Sequence, residues 1–209
     1  MLKSLRRRDI LILVTFWLSM ACIVGLALVF FMLRPPEVNQ PGPAEQQYTL
    51  EPAEVTALKL FPLAQKTALA WERDVQFISA STAWPHASIS ELEGPVEWLY
   101  RFYSPGQKRI LFVIVTPDMQ VIARPHLERV RRELRVIDPV TWQVDSPEAM
   151  TVWLNQGQGG EWLELAADRT VSAQLTFSLD RNEPVWTISG LNPETGESVT
   201  FTTPGGGPQ

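Results

Sequence analysis

Val96-Glu97-Trp98-Leu99-Tyr100-Arg101-Phe102-Tyr103, then Ser104-Pro105-Gly106-Gln107, then Arg109-Ile110-Leu111-Phe112-Val113-Ile114-Val115: this stretch decides the fold. Its first part alternates. Val96, Trp98, Tyr100 and Phe102 share one face of a strand, because successive side chains of a strand point to opposite faces. Ser104 to Gln107 is turn chemistry, with proline presetting φ and glycine accepting conformations that other residues avoid. Arg109 to Val115 is a nearly continuous apolar strand. Thr116-Pro117-Asp118-Met119 turns again, and Gln120 to Ala123 returns as a third strand. Ile78 to Trp84 adds a strand ahead of these, giving an antiparallel meander.

Upstream, Ala64, Ala68, Trp71, Val75 and Ile78 recur at spacings of 4, 3, 4 and 3, which places them on one helical stripe. Pro62 suits the first turn of that helix, where its missing N–H has no partner to lose. Val55 to Leu60 is either an earlier helical turn or a short strand. Trp71 reads as core, since one buried indole hides roughly 150–250 Å².

Downstream, His126 to Arg135 is basic, with Arg129, Arg131, Arg132 and Arg135 around Glu128 and Glu133. It reads as a solvated connector, with a patch for an anionic partner as the alternative. A second helix-then-sheet unit follows. Asp145 or Ser146 caps its helix, Pro147 suits the first turn and Glu148 complements the positive end of the dipole. Gln156-Gly157 ends it. Val171 to Leu179 alternates, Asp180 to Glu183 turns, Pro184 to Leu191 returns, and Asn192 to Gly196 turns into Ser198 to Thr202. The two units echo each other. Trp98 precedes Ser104-Pro105 by six and seven residues, as Trp186 precedes Asn192-Pro193, each Trp beginning a strand that the dipeptide ends.

Ile10 to Leu33 is a run of 24 residues without charge. As a helix it is about 36 Å long, against about 30 Å of hydrocarbon in a bilayer. The run is longer than the apolar part of a cleaved signal peptide and ends without an Ala-x-Ala site. Leu18-Ser19-Met20-Ala21-Cys22 misplaces the Leu of a lipidation signal by one residue. Lys3, Arg6, Arg7 and Arg8 precede the run and only Arg34 follows it, so the N-terminus is expected in the cytoplasm. The expected protein is single-pass in the cell membrane, held in the lipid bilayer by residues 10–33, with its C-terminal mass extracytoplasmic.

The expected organisation is therefore α+β: an N-terminal transmembrane helix followed by two helix-plus-antiparallel-sheet units. Residues 1–9 are a basic cytoplasmic tail and 34–47 a Pro-rich linker. The first unit spans 48–125, the second 126–203, and 204–209 is a disordered tail. With 45% apolar and 20% charged residues among 209, the composition is globular. Setting aside the anchor's flanks leaves 13 of 18 basic and 22 of 23 acidic residues, so the outer part is near −9. That balance argues against nucleic acid, whose phosphates need a basic face. The one cysteine, Cys22, lies inside the apolar run and offers no intrachain disulfide.

The chain resembles the PepSY-like domains of bacterial envelope proteins. The resembling residues are the helix with Trp71 and Asp74, then Val96 to Ser104, Trp142-Gln143-Val144-Asp145-Ser146-Pro147-Glu148-Ala149, and Val185-Trp186-Thr187-Ile188. Asn192-Pro193-Glu194-Thr195-Gly196-Glu197 looks like that family's closing hairpin. The resemblance runs from about Ala64 to Thr202 as a tandem pair, departing from the family in its basic linker and less regular first helix. It implies small helix-plus-sheet domains in an extracytoplasmic setting, with roles in binding or in restraining peptidases, and it carries no catalytic residue.

No catalytic or cofactor motif is legible, so the expectation is a protein that is not an enzyme and holds no cofactor or metal. His86 and His126 are 40 residues apart, without metal-ligand spacing and without a Gly-x-Ser-x-Gly elbow. Gly157-Gln158-Gly159-Gly160 reads as a helix stop rather than a phosphate loop, and Glu161 with Glu164 as solvated side chains rather than a glycosidase pair. Tryptophan is abundant, and Trp84, Trp153 and Trp162 are the candidate contacts for a protein or peptide partner. The leading expectation is a non-enzymatic binding module at the envelope, regulating a peptidase or sensing a peptide. The other is a structural or assembly subunit of a membrane complex.

Overall fold

A computed structural model describes residues 55–132, 134–165 and 169–206. The run Ile10–Leu33, the basic residues Lys3, Arg6, Arg7 and Arg8, and the linker 34–47 lie outside them. Among the described residues no helix is long and apolar enough to cross a membrane. All the described residues belong to one compact unit, Gln46–Gln209.

Helix α1 (Ala57–Trp71) begins where the Thr56 hydroxyl accepts from the amide of Lys59 at 3.2 Å. Val55 to Leu60 is thus an entry into the helix, and Pro62 stands in its second turn rather than its first. Its ring is exposed there, and it omits one hydrogen bond of the helix. The helix buries Leu60, Phe61, Ala64 and Ala68. It stops at Trp71, which is only half-buried, so Val75 and Ile78 leave the helical stripe for a loop and a strand.

The chain continues through β1 (Gln76–Trp84), the short α2 (Ile89–Leu92), β2 (Trp98–Ser104), β3 (Arg109–Val115) and β4 (Val121–Pro125). After a 3-10 turn at Pro139–Thr141 come α3 (Ser146–Gln156), α4 (Gly159–Glu164), β5 (Thr170–Ser178), β6 (Glu183–Leu191) and β7 (Ser198–Pro204). The seven strands form one antiparallel sheet in the order β4-β3-β2-β1-β5-β6-β7. The protein is α+β. Each half runs from helix to meander, and the halves join through their first strands, β1 and β5. Trp98 begins β2 as read from the sequence. Trp186 instead lies inside β6, where it packs edge-on against Trp98 at 5.9 Å.

Helix α1 packs on β2, β3 and β4, while α3 packs on β6 and β7. Between helices and sheet lies a core rich in Trp98, Tyr100, Phe102, Trp153 and Trp186. Asp145 and Ser146 tie the halves together at the helix starts. One Asp145 oxygen accepts from the Ser146 amide at 2.6 Å and from the Leu58 amide at 3.0 Å, and the other from the Thr56 hydroxyl at 2.5 Å. The Ser146 hydroxyl accepts from the Ala57 amide at 3.2 Å. One carboxylate thus meets the positive ends of two helices. These caps and the core close within the unit, as expected of a part that folds alone.

Two local expectations change. Gly157 does stop α3, donating to the Trp153 carbonyl at 2.9 Å. The chain then restarts as α4, because Gly159 lets the backbone lie against the Trp153 ring. A Cβ there would stand 2.4 Å from a ring carbon. The start of the supposed disordered tail is ordered: Pro204 ends β7, and Gly205 donates to the Pro184 carbonyl at 2.8 Å. The Gly205 carbonyl in turn accepts from the amides of Gln143 and Val144. Residues 207–209 lie outside the described residues.

Candidate functional site

The sheet does not close along its middle seam. Strand β1 pairs with β2 from Gln76 onward, yet it pairs with β5 only from Ala80 to Trp84. Its register against β2 shifts between Phe77 and Ser79, a bulge that bends the strand. Beyond Leu175, β5 follows β6 alone. The two central strands diverge, and a wedge opens between the start of β1 and the β5–β6 hairpin.

The returning chain enters this wedge. Ile137 is buried, and its amide donates to the Phe77 carbonyl at 2.7 Å. Asp138 then caps the 3-10 turn, its carboxylate accepting from the Val140 amide at 3.0 Å. What remains open is a groove of about 740 Å³. Its apolar lining includes Leu69 of α1, Val75, Val140, Phe177 and Pro184, and its polar lining includes Gln76, Gln143, Asn182 and Glu183. Leu69 and Val140 are 47% and 80% exposed, large apolar side chains left in water at the groove's rim.

The floor is rigid. Phe77 stacks on Trp142 at 5.6 Å, and Phe61 meets Phe77 at 4.8 Å and Trp142 at 5.5 Å. Trp142 continues edge-on to Trp186 at 6.1 Å. Both indoles donate to the Val144 carbonyl at 2.9 Å. A lining of aromatic and aliphatic side chains with a few polar groups suits a ligand that presents side chains, and the size is that of an ordinary small-ligand or peptide site.

No family model matches the chain, and neither a curated protein nor a solved structure is similar enough to count as a match.

The structure turns Trp84, Trp153 and Trp162 inward, at 7%, 0% and 4% exposure. Trp153 and Trp162 pack against each other at 6.5 Å, and Gly190 leaves room for the Trp162 ring. The guanidinium of Arg169 lies over that ring at 4.0 Å and donates to the Trp162 carbonyl. A partner at the surface therefore meets other residues than these three. His86 follows the end of β1 and His126 the end of β4; β1 is central and β4 an edge strand, three positions away, and the two ends point to opposite ends of the sheet. Among the described residues no group of three His, Cys, Asp or Glu is placed for a metal ion.

Asp74, named with Trp71 in the resemblance, fastens the β2–β3 turn to the end of α1. Its carboxylate accepts from the Ser104 hydroxyl at 2.7 Å and the Gly106 amide at 2.6 Å. The Ser104 bond first, and the Gly106 bond next, hold it below the ordinary Asp range. Tyr100 donates to the Ala57 carbonyl at 2.6 Å, and burial, aided by the Asp145 charge, pushes its phenol up. The groove itself carried no motif in the sequence. Its only local trace was Asp138-Pro139, a turn start, and its walls come from residues more than a hundred positions apart.

Proposed function

We propose that the chain is a membrane-anchored, extracytoplasmic, non-enzymatic binding module that takes an extended, mainly apolar peptide segment in the groove between β1 and the β5–β6 hairpin. The observation that carries this is the wedge where β1 and β5 diverge, with Leu69 and Val140 exposed at its rim. Strands that part in this way leave an apolar trough running along the strand direction, and an extended peptide follows such a trough with alternate side chains. Asp138 and Glu183 at the same groove favour a basic residue in that peptide.

The anchor is Ile10–Leu33, oriented by Lys3, Arg6, Arg7 and Arg8. The PepSY-like resemblance supports the envelope setting and a role in restraining a peptidase or sensing a peptide. Two helix-then-meander halves in tandem suit that resemblance.

The test is a mild-detergent purification of the full chain beside a Leu69→Lys/Val140→Glu variant, with mass spectrometry of co-purifying proteins. Both side chains are exposed, so the fold tolerates the change. A partner held by the natural chain and lost by the variant supports the groove. A partner held equally by both places the contact elsewhere, as the assembly-subunit reading requires.

A further inference from the structure

The second face of the sheet is divided. The packed helices α1, α3 and α4 lie on the core face. On the opposite face the β5–β7 half shows Ser172, Gln174, Thr187, Ser189, Thr200 and Thr202, as expected where a sheet meets water. The β2–β4 half differs. There the pairing register aligns Leu99 with Ile114 and Ile122, and Arg101 with Phe112 and Arg124. Strand β3 is apolar on both faces, the pattern of a strand covered on both sides. Ile122 is 41% exposed.

Arginines border this apolar strip. Beyond β4 the chain runs on beside β3, the His126 amide donating to the Ile110 carbonyl and the Val130 amide to that of Lys108. Arg124, Arg129, Arg131 and Arg132 lie on this edge, and Leu127 among them is 88% exposed. Glu128 and Glu133 are the acidic residues of the stretch, so these four arginines outnumber the acids two to one in a chain of net −5. The Arg101 guanidinium stands 6.0 Å from the Phe112 ring centre, and His126 packs edge-on to the same ring.

We infer that this face docks on an anionic bilayer surface. The arginines meet headgroup phosphates, which match their planar, many-donor heads. Leu127, Ile122 and the Ile110–Ile114 strip enter the apolar boundary layer beneath. A second copy is disfavoured, because two such faces repel. The nearness of a bilayer rests on the anchor reading above. Residues 34–54 are 21 in number and reach at most about 70 Å. Val55 lies by Trp98, at the other end of the strands from the arginines. A seven-residue strand is about 23 Å long, so the linker spans the difference. Docking lays the domain along the membrane and leaves the groove, beside β1 and β5, off the lipid-facing strip.

The test uses the unit Gln46–Gln209, which lacks the apolar run, so failure of the anchor reading does not affect it. Its partition onto phosphatidylcholine vesicles is compared with that onto phosphatidylcholine–phosphatidylglycerol vesicles by co-sedimentation. Partition onto the anionic vesicles alone is expected. It should weaken with added salt and fall about fivefold for each arginine replaced, so that Arg129→Gln/Arg131→Gln/Arg132→Gln loses about a hundredfold. Leu127→Asp should weaken it further, whereas Thr187→Asp/Thr200→Asp on the polar half should not. All these side chains are at least partly exposed, and unchanged thermal unfolding checks the fold of each variant. No partition onto anionic vesicles, partition indifferent to the arginine changes, or tight binding of an acidic protein in place of vesicles overturns the proposal.

Discussion

Asp145 does the most at the scale of single residues. It was legible as the cap of its own helix, since capping is local chemistry between neighbours. Its bonds to Thr56 and Leu58, 89 and 87 residues away, were not. A cap is worth about 0.5–2 kcal/mol. Asp145→Ala removes the cap of α3 and part of that of α1, so we expect a loss of ~2–3 kcal/mol by urea unfolding. Asp145→Asn, which keeps an acceptor oxygen, should recover part of it. An Ala variant as stable as the natural chain would show that the shared cap contributes nothing. Asp74 gives a pH dependence. Its folded pKa is depressed, so its stabilisation is full above the unfolded value of about 3.9 and is lost as pH falls through the lower folded value. Tyr100 has the opposite sign: its raised pKa stabilises below about pH 10 and that contribution declines as pH rises further. Unfolding midpoints across pH should show both limbs. Asp74→Asn should flatten the acid limb and Tyr100→Phe the alkaline one.

Among the elements, local sequence decides most where periodicity and turn chemistry agree. Arg109–Val115 is β3 to the residue, and Asp145-Ser146-Pro147 opens α3 as its composition requires. Local sequence decides least where tertiary packing takes over. Pro62 pointed to a helix start, but Thr56 captures that role because its hydroxyl reaches the Lys59 amide. Gly157 to Gly160 contained a stop, but nothing local announced that α4 would restart beneath Trp153. That contact is testable. Gly159→Ala places a methyl against the indole and should cost ~1–3 kcal/mol by overpacking. Trp153→Ala should cost ~3–5 kcal/mol. If the two costs simply add in the double variant, the indole is not the group that the added methyl meets. Tryptophan abundance likewise looked like surface chemistry. A core shared by seven strands and the helices absorbs Trp84, Trp153 and Trp162, while Val140 and Leu69, unremarkable in sequence, remain exposed.

At the scale of the molecule, two stretches that read as separate helix-plus-sheet units contribute to one sheet through β1 and β5. Their antiparallel first strands, the Trp98–Trp186 contact and the Asp145 cap all cross between the halves. We expect one cooperative calorimetric transition for Gln46–Gln209, with the van't Hoff and calorimetric enthalpies equal; two resolved transitions would show halves that unfold independently. The seam that joins the halves also fails to close, and this failure makes the groove. No local pattern encodes it, because it depends on where β1 and β5 stop pairing. Peptide capture at that seam is therefore the property to measure. A random peptide library is panned on the unit Gln46–Gln209, and selected peptides are titrated against it and against Leu69→Lys/Val140→Glu. We expect a shared motif of alternating apolar residues with a basic position, whose affinity falls at least tenfold on the variant. Absence of a shared motif, or peptides that bind both proteins equally, would contradict peptide capture at the seam.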